Sequence, residues 1–289
     1  MKRKWMGLLL VIAMLVCACG NTERIGTDAH KALQTLKTIE VDLTNEQYGI
    51  GVNKKNKELL DQVNAFIAES QRNGRFDEIE SHYMGDGEPV MVTSAERDET
   101  RDQLVVSSTL DFEPFEYGDI GEYYGIDMEI ASALARYLGR ELVIISSSFE
   151  TMFMAVKQQK SDICIGGISI TEERKELVAF SAPYYITSQC LVVPQDNTEF
   201  DEARTAEDVE RILRSKDKSS VIGVENLTTA QSYCEGSRKE GYAGFPLTVR
   251  GYRDVETALV ALRDQECQYV MGDYATVQWF VDKVNGESR

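Results

Sequence analysis

Histidine is nearly missing from this chain: His30 and His82 are the only two. A metal centre built on imidazole, or a catalytic triad with a histidine base, therefore has almost no raw material. Cysteine is scarce as well. Apart from Cys17 and Cys19, the four cysteines are Cys164, Cys190, Cys234 and Cys267, whose spacing matches no zinc pattern and whose wide separation argues against a disulfide framework. They read as small buried hydrophobes. Basic residues number 31 against 48 acidic ones, for a net charge of −17. That balance speaks against nucleic acid, whose binders neutralise phosphates with Lys and Arg. P-loop and dinucleotide-binding glycine patterns are absent where a strand would meet a helix, so neither a cofactor nor a metal is expected.

Long apolar runs are limited to one, at the N-terminus. Lys2, Arg3 and Lys4 precede "WMGLLLVIAMLV", which is too short for a comfortable membrane span and has the make-up of a signal peptide. It runs into Val16-Cys17-Ala18-Cys19, which resembles a bacterial lipobox. Cys19 fits the lipidated position better than Cys17, which would put bulky Val16 at the cleavage position. Residues 1–19 are thus expected to be a lipoprotein signal. The mature chain is expected to be anchored by lipid at the outer face of a bacterial cytoplasmic membrane. The alternative is a plain secretory signal with incidental cysteines.

What is present suffices for two lobes with real cores: 289 residues, 43% apolar and 27% charged. "TIEVDL" (38–43) alternates like a strand, and "YGIGV" (48–52) is a second candidate whose glycines permit close backbone approach. From Asn56, a candidate N-cap, Leu59, Val63, Phe66 and Ile67 recur at helical spacing as far as Gly74, and "FDEIESHYMG" predicts a short second helix. Residues 87–102 lack periodicity and read as a linker. Beyond it strands and helices alternate: "QLVVSS", "GIDMEIASALARYLGR", "ELVIISS", "FETMFMAVKQQKS", "DICIGG", "TEERKELVAF", "SQCLVVP" and onward to a last helix, "DYATVQWFVDKV". This pattern predicts an α/β fold with parallel sheets.

Two stretches carry more than a pattern. "VVSSTLDFEPFEYGDIGEYYGIDMEIASALARYLG" (105–139) and "SDICIGGISITEERKELVAFSAPYY" (161–185) strongly resemble the family 3 solute-binding proteins of amino-acid ABC transporters, and the resemblance extends over nearly all of 103–285. It implies a two-lobed, type II periplasmic-binding-protein-like fold with two hinge strands, near 42–48 and 186–193. In that family the segment resembling 38–86 follows the last helix. Here it precedes everything else, and placing it after residue 289 restores the family order, so the chain is read as circularly permuted. The alternative is a partial duplication fused to a truncated copy, which would leave a strand missing. The expected parts are a tether and lobe-two strand (20–42), a displaced end of lobe one (43–86), the linker, lobe one (103–190) and lobe two (191–289). Sixteen linker residues reach up to ~55 Å, more than enough to cross one lobe.

The resemblance also implies a site. A free amino acid brings a carboxylate and an ammonium into a cleft, and each needs a partner there. Arg174, in "GGISITEER", matches the family's ligand arginine and can grip a carboxylate with two parallel hydrogen bonds. Gly167 and Ser169 lie at strand-end positions that offer backbone and hydroxyl groups. Thr171 is as readily the cap of a helix starting at 172. Thr228 and Thr229, in "ENLTTAQ", sit at a strand-to-helix turn, although family members often have Gly where Leu227 stands. Asp273 matches the ammonium partner and is equally placed to cap the last helix. Phe112 and Phe149 match the aromatic pair that sandwiches the ligand side chain. Thr109 and Glu225 fall where specificity is set, and Glu225 leans towards a positively charged or amide-bearing ligand.

The function expected from these residues is binding of a polar amino acid by a monomer, with no catalytic residue, and delivery to the membrane subunits of an ABC permease. Ligand-bridged closure of the two lobes would drive it. Two alternatives stand beside it: a ligand-binding sensor subunit, and a cyclohexadienyl-dehydratase-like enzyme in which Glu113 or Glu225 would act as acid or base. Lytic transglycosylases of similar fold carry a further catalytic domain, for which no residues remain here.

Overall fold

The computed structural model describes residues 34–119 and 121–286. The expected signal segment and Cys19 lie outside the described residues. The chain opens with β1 (Leu36–Ile39), β2 (Glu46–Tyr48) and β3 (Gly51–Val52), followed by helices α1 (Lys57–Asn73) and α2 (Arg75–Met84). Next come β4 (Gln103–Ser108), a meander of β5 (Asp111–Phe112), β6 (Glu116–Asp119) and β7 (Glu122–Tyr124), and then α3 (Ile126–Leu138). They lead to β8 (Glu141–Ser146), α4 (Phe149–Lys157), β9 (Ile163–Cys164), β10 (Ala179–Phe180) and β11 (Tyr185–Thr187). The rest runs β12 (Gln189–Pro194), α5 (Ala206–Arg214), β13 (Val221–Glu225), α6 (Thr229–Glu235), β14 (Thr248–Tyr252), α7 (Val255–Arg263), β15 (Tyr269–Asp273) and α8 (Tyr274–Asn285).

Two five-stranded sheets organise the two lobes. Lobe one has the order β10-β3-β9-β4-β8 and lobe two β1-β12-β15-β13-β14. In each, three neighbouring strands run parallel, as the alternation of strands and helices requires, and two antiparallel strands complete one side. Between the lobes β2 and β11 form a small antiparallel ladder, with Tyr48 opposite Tyr185 and Glu46 opposite Thr187. The chain crosses between lobes there and nowhere else among the described residues.

The N-terminal segment is an integral part of lobe one. Its helix α1 is built as its sequence suggests: the Asn56 side chain accepts from the Leu59 N–H at 3.1 Å, and Gly74 closes it at φ 76°. Leu59, Val63, Phe66 and Ile67 form the buried face. They share one apolar core with Tyr48, Ile50 and Val52 from the segment's strands and with Leu104, Val106 and Leu134 from the residues after the linker. Strand β3 lies between β9 and β10, close enough that a Cβ on Gly51 would meet the Cys164 sulfur at 2.5 Å. The four cysteines among the described residues, Cys164, Cys190, Cys234 and Cys267, are free and buried, as expected for small hydrophobes.

Several local expectations need correction. "YGIGV" is not one strand. The chain ends its hinge pairing at Tyr48 and starts a new one, in a different sheet, at Gly51. Strand character in "TIEVDL" stops at Ile39, because Leu43 already bonds to the Gln189 carbonyl on the way to the hinge. The helix expected from 172 is a single 3-10 turn, Arg174–Glu176, cut short because Ala179 must pair with Val52. The second hinge strand, expected at 186–193, is shorter. Only 185–187 pairs in the ladder, and β12 already belongs to lobe two from Gln189, so the boundary at 190/191 moves back to about 188. The 87–102 linker is itself bonded to lobe one. Val92 exchanges two backbone hydrogen bonds with Tyr123, Ala95 donates to the Leu142 carbonyl, and the Ser94 hydroxyl accepts from Ile144 N–H. It thereby covers the outer edge of β8, an edge that would otherwise present unpaired backbone groups.

The first and last described elements are neighbours. Leu36 N–H donates to Asn285 Oδ1 at 3.0 Å, and Asn285 Nδ2 donates back to the Leu36 carbonyl at 2.8 Å.

If 48–86 is core and not an appendage, removing one of its buried side chains must cost global stability. Phe66→Ala is expected to lose about 3–5 kcal/mol, read as a lower urea midpoint at unchanged slope. Asp61→Ala, on the exposed face of the same helix, should stay within about 0.5 kcal/mol. Equal midpoints for the two variants would show that α1 contributes nothing to the cooperative unit.

Candidate functional site

Parallel strands deliver their C-terminal ends, and the turns that follow them, to one side of a sheet. In this molecule both sheets turn that side towards the cleft. The ends of β4 and β9 with α4 come from lobe one, and the ends of β13 and β15 from lobe two. Together they line a recess of about 340 Å³, the solvent-open space at its mouth included. All ten residues expected from the sequence line it: Thr109, Phe112, Phe149, Gly167, Ser169 and Arg174 from lobe one, and Glu225, Thr228, Thr229 and Asp273 from lobe two. Gly166 and Glu116 line it too and were not foreseen.

Arg174 is buried, yet no carboxylate among the described residues is bonded to it. Its guanidinium donates to the Ser169 carbonyl at 2.9 Å and across the cleft to the Leu227 carbonyl at 3.3 Å, and it lies 4.7 Å over the Phe149 ring. Burial draws its pKa below the ordinary value, opposed first by Glu46 and then by Asp273. Thr171 does cap the short turn, accepting from Arg174 N–H at 3.2 Å, so of its two readings the structural one is occupied. Leu227 sits at φ 66°, a left-handed conformation that a leucine adopts only at a cost of roughly 1–2 kcal/mol.

Asp273 ends β15 and begins α8, but its side chain makes no capping bond. It accepts instead from the Tyr48 hydroxyl at 2.8 Å, a bond from the hinge ladder to lobe two. Burial pushes the Asp273 carboxyl up to about 7, helped by nearby Glu46 and opposed by the bonds from Tyr48 and Gln189. Glu46 is itself buried and accepts from the Ser169 hydroxyl at 2.6 Å and from Thr44 at 2.9 Å. The Ser169 proton is therefore already engaged. The hydroxyl of Thr228 is engaged as well: it caps α6 and donates to the Glu225 carbonyl, while Thr229 accepts from Gln189.

Away from the arginine the cavity is acidic. Glu116, on β6, is fully buried; one oxygen accepts from Thr109 at 2.9 Å and the other has no hydrogen-bond partner. Glu225 likewise has a buried oxygen without a partner. Burial first, and other carboxylates second, hold both protons well above the ordinary range: Asp127 acts on Glu116, and Asp111 on Glu225. The charges that act most on Arg174 are different ones, Glu46 and Asp273. The cavity thus has a cationic part and an anionic part, with Asp273 in electrostatic reach of both.

Phe112 stacks on Phe115 at 5.9 Å and covers Gly167, where a Cβ would strike its ring at 2.5 Å. Phe149 has its edge-on partner in Phe153 at 5.4 Å. Glu113, weighed from the sequence as an acid or base, lies outside this cavity and lines a separate recess with Asp111, Asp254 and Glu256. Further contacts close the cleft at its rim: Lys239 pairs with Glu176 at 3.0 Å, and Glu240 accepts from the Glu173 N–H at 3.2 Å.

The bacterial extracellular solute-binding protein family 3 model matches residues 104–280. Among curated relatives, the arginine-binding periplasmic protein of Mannheimia haemolytica is 28% identical over 176 residues, covering 61% of this chain and 65% of the relative. ABC transporter arginine-binding protein 1 of Escherichia coli (strain K12) is 30% identical over 176 residues, covering 60% and 64%. The matched stretch thus spans just under two thirds of either relative. A shorter match, 38% over 82 residues and 31% of the relative, is to the cyclohexadienyl dehydratase of Pseudomonas aeruginosa. Among solved structures, the holo arginine-binding protein of T. maritima is 32% identical, with a TM-score of 0.51 over 65% of this chain and 76% of that one. An ancestral arginine-binding protein bound to arginine is 26% identical, with a TM-score of 0.53 over the same shares. The fold is that of type II periplasmic binding proteins, and with its family model matched over more than half its length the chain belongs to the bacterial extracellular solute-binding proteins of family 3.

Proposed function

We propose that this protein binds a cationic amino acid, arginine before others, outside the cytoplasm and delivers it to an ABC-type permease. One observation carries the reading. One recess holds one guanidinium, Arg174, and away from it three carboxyls, Asp273, Glu225 and Glu116, two of which have a buried oxygen without a partner among the described residues. Its charges complement a ligand with one negative and two positive groups. The ligand carboxylate takes the free donors of Arg174, its ammonium takes Asp273, and its cationic tip takes Glu116 and Glu225. Relatives named for arginine support the same choice. Because these partners sit on different lobes, only the closed form satisfies both ends of the ligand.

Circular permutation fits the packing. Segment 36–86 lies outside the family match, yet its strand β3 sits inside the lobe-one sheet and its β1 on the edge of the lobe-two sheet. The bonds between Leu36 and Asn285 mean that a short loop would rejoin α8 to β1. In this arrangement a lipid on Cys19 tethers the protein through lobe two. The dehydratase relative keeps an enzymatic reading in view, with Glu225 or Glu116 as proton donor. Product formed from a cyclohexadienyl acid by the purified protein would replace the transport reading with that one.

A thermal-shift screen of the twenty amino acids plus ornithine and cystine tests the function. Arginine should give the largest shift, with lysine and ornithine next; a ligand at a hundredfold excess over Kd contributes about 2.7 kcal/mol. Arg174→Ala and Asp273→Ala should each abolish the shift while leaving a cooperative unfolding transition. Shifts that survive in both variants would mean that the ligand binds elsewhere.

The pH dependence of stability follows from Asp273. Its folded-state pKa of about 7 lies above the ordinary 3.8, so its contribution is fully present below that ordinary value and is lost as pH rises through the folded one. The ligand-free protein should melt at progressively lower temperature from about pH 4 to about pH 7. Asp273→Asn should flatten part of that fall, and saturating arginine, whose ammonium offsets the charge, should flatten it as well. An unchanged slope in the variant would remove Asp273 from the account.

A further inference from the structure

Behind the acidic end of the cavity lies a carboxyl that the binding scheme does not use. Asp127, in the first turn of α3, is fully buried and does not line the cavity. One of its oxygens accepts from Gly167 N–H at 2.7 Å and from the Tyr184 hydroxyl at 2.8 Å; the other has no partner. The groups facing Asp127 and Glu116 come from every side: Thr109 after β4, Asp111 on β5, the Gly167 amide after β9, Tyr184 ahead of β11, and Glu225 on β13 of the other lobe. None of these carries a positive charge. Both carboxyls meet the Gly166–Gly167 turn: Asp127 takes the Gly167 N–H, and Glu116 Oε1 lies 2.7 Å from where a Cβ on Gly166 would stand. Two buried carboxylates so placed, with none of the groups named above a cation, cannot both ionise at ordinary cost. Glu116 and Asp127 therefore titrate as a pair, and burial carries Asp127 up to about 7.

We propose that Asp127 is a positioning residue that sets the charge of Glu116, and that the proton the pair holds makes the choice between a cation-tipped and an amide-tipped amino acid depend on pH. The inference rests on the proposed cationic ligand. When Glu116 is ionised, its unpartnered oxygen meets a guanidinium as a charge-assisted acceptor. When Glu116 holds the proton, the same carboxyl offers one O–H donor and one acceptor, which match a neutral amide or ureido group and leave a guanidinium unpaired. Entry of the cation displaces the pair's proton to solvent, whereas entry of an amide leaves it in place. Asp127 does not itself line the cavity; it holds the amide of Gly167, which does, and acts on the ligand tip through the charge of Glu116.

Arginine and citrulline have nearly the same shape and differ in the charge of the tip, so their comparison isolates the device. Titration calorimetry of the purified protein with each, from about pH 5.5 to about pH 8.5 in two buffers of different protonation enthalpy, gives both affinity and proton count. The arginine-to-citrulline affinity ratio should rise with pH, by up to about tenfold per unit where one proton is exchanged. Near neutrality arginine should release about one proton more than citrulline, because the ammonium that both ligands carry displaces the Asp273 proton equally. Asp127→Asn keeps an acceptor for Gly167 and Tyr184 but removes the neighbouring charge, so the rise should move to lower pH. Glu116→Gln should flatten it. A pH-independent ratio in the wild type, or an Asp127→Asn profile that coincides with wild type, overturns the proposal while leaving cationic binding in place. Failure of arginine to bind at any pH overturns both. Should Asp127→Asn not fold, the wild-type proton counts decide alone: equal counts for the two ligands refute it.

Discussion

Burying several charges in one crevice with too few opposites is the constraint on which the rest of this molecule depends. Two unit charges 4 Å apart interact by about 4 kcal/mol at an effective dielectric of 20, so each charged group must be held, neutralised or answered. Arg174 is held by two carbonyls and an aromatic face, none of which cancels its charge. Asp273 is held by a tyrosine hydroxyl in place of a cation. Glu116 is held on one oxygen only. The protein keeps these groups oriented but incompletely compensated, and that deficit is what the proposed ligand, of matching charge, would remove. Side chains aimed in advance lose little freedom when the ligand arrives, so less of the interaction is spent on ordering.

The same groups are built into the joint between the lobes. Tyr48 belongs to the hinge ladder and to the lobe-one core, and its hydroxyl reaches into lobe two. Glu46, two residues earlier on the same strand, fixes Ser169 beside the arginine. The leucine in a left-handed turn at 227 offers its carbonyl to the guanidinium from the opposite side. Cavity and hinge thus share one network of hydrogen bonds. Backbone strain of this kind tends to gather where structure serves function.

The sequence made much of this legible for specific reasons. Leu59, Val63, Phe66 and Ile67 announce a helix face because their spacing has the period of the buried stripe. The ten cavity residues were found by resemblance to a family, since a lone Arg, Asp or Phe carries no such message by itself. Glu116 escaped because "DFEPFEYGD" offers several acids and no period to tell the buried one from Glu113, which lines another recess. Glu46 and Tyr48 escaped because their roles depend on Ser169 and Asp273, more than a hundred residues away along the chain. Strand ends were misjudged wherever a tertiary contact, such as the pairing of Ala179 with Val52, overrode the local pattern.

The two lobes differ in how the polypeptide supplies them. From the hinge strand at Glu46 to its partner at Thr187, lobe one is drawn from a single uninterrupted stretch. Lobe two is assembled from a four-residue strand near the start and everything after Gln189. As the chain emerges from its N-terminus, the first lobe has all of its sheet before any partner for β1 exists. Domains that appear whole fold as units, early ones first. This order of appearance makes the arginine-bearing half the template on which the aspartate-bearing half is later completed, and leaves β1 waiting, unpaired, until β12 arrives to receive it.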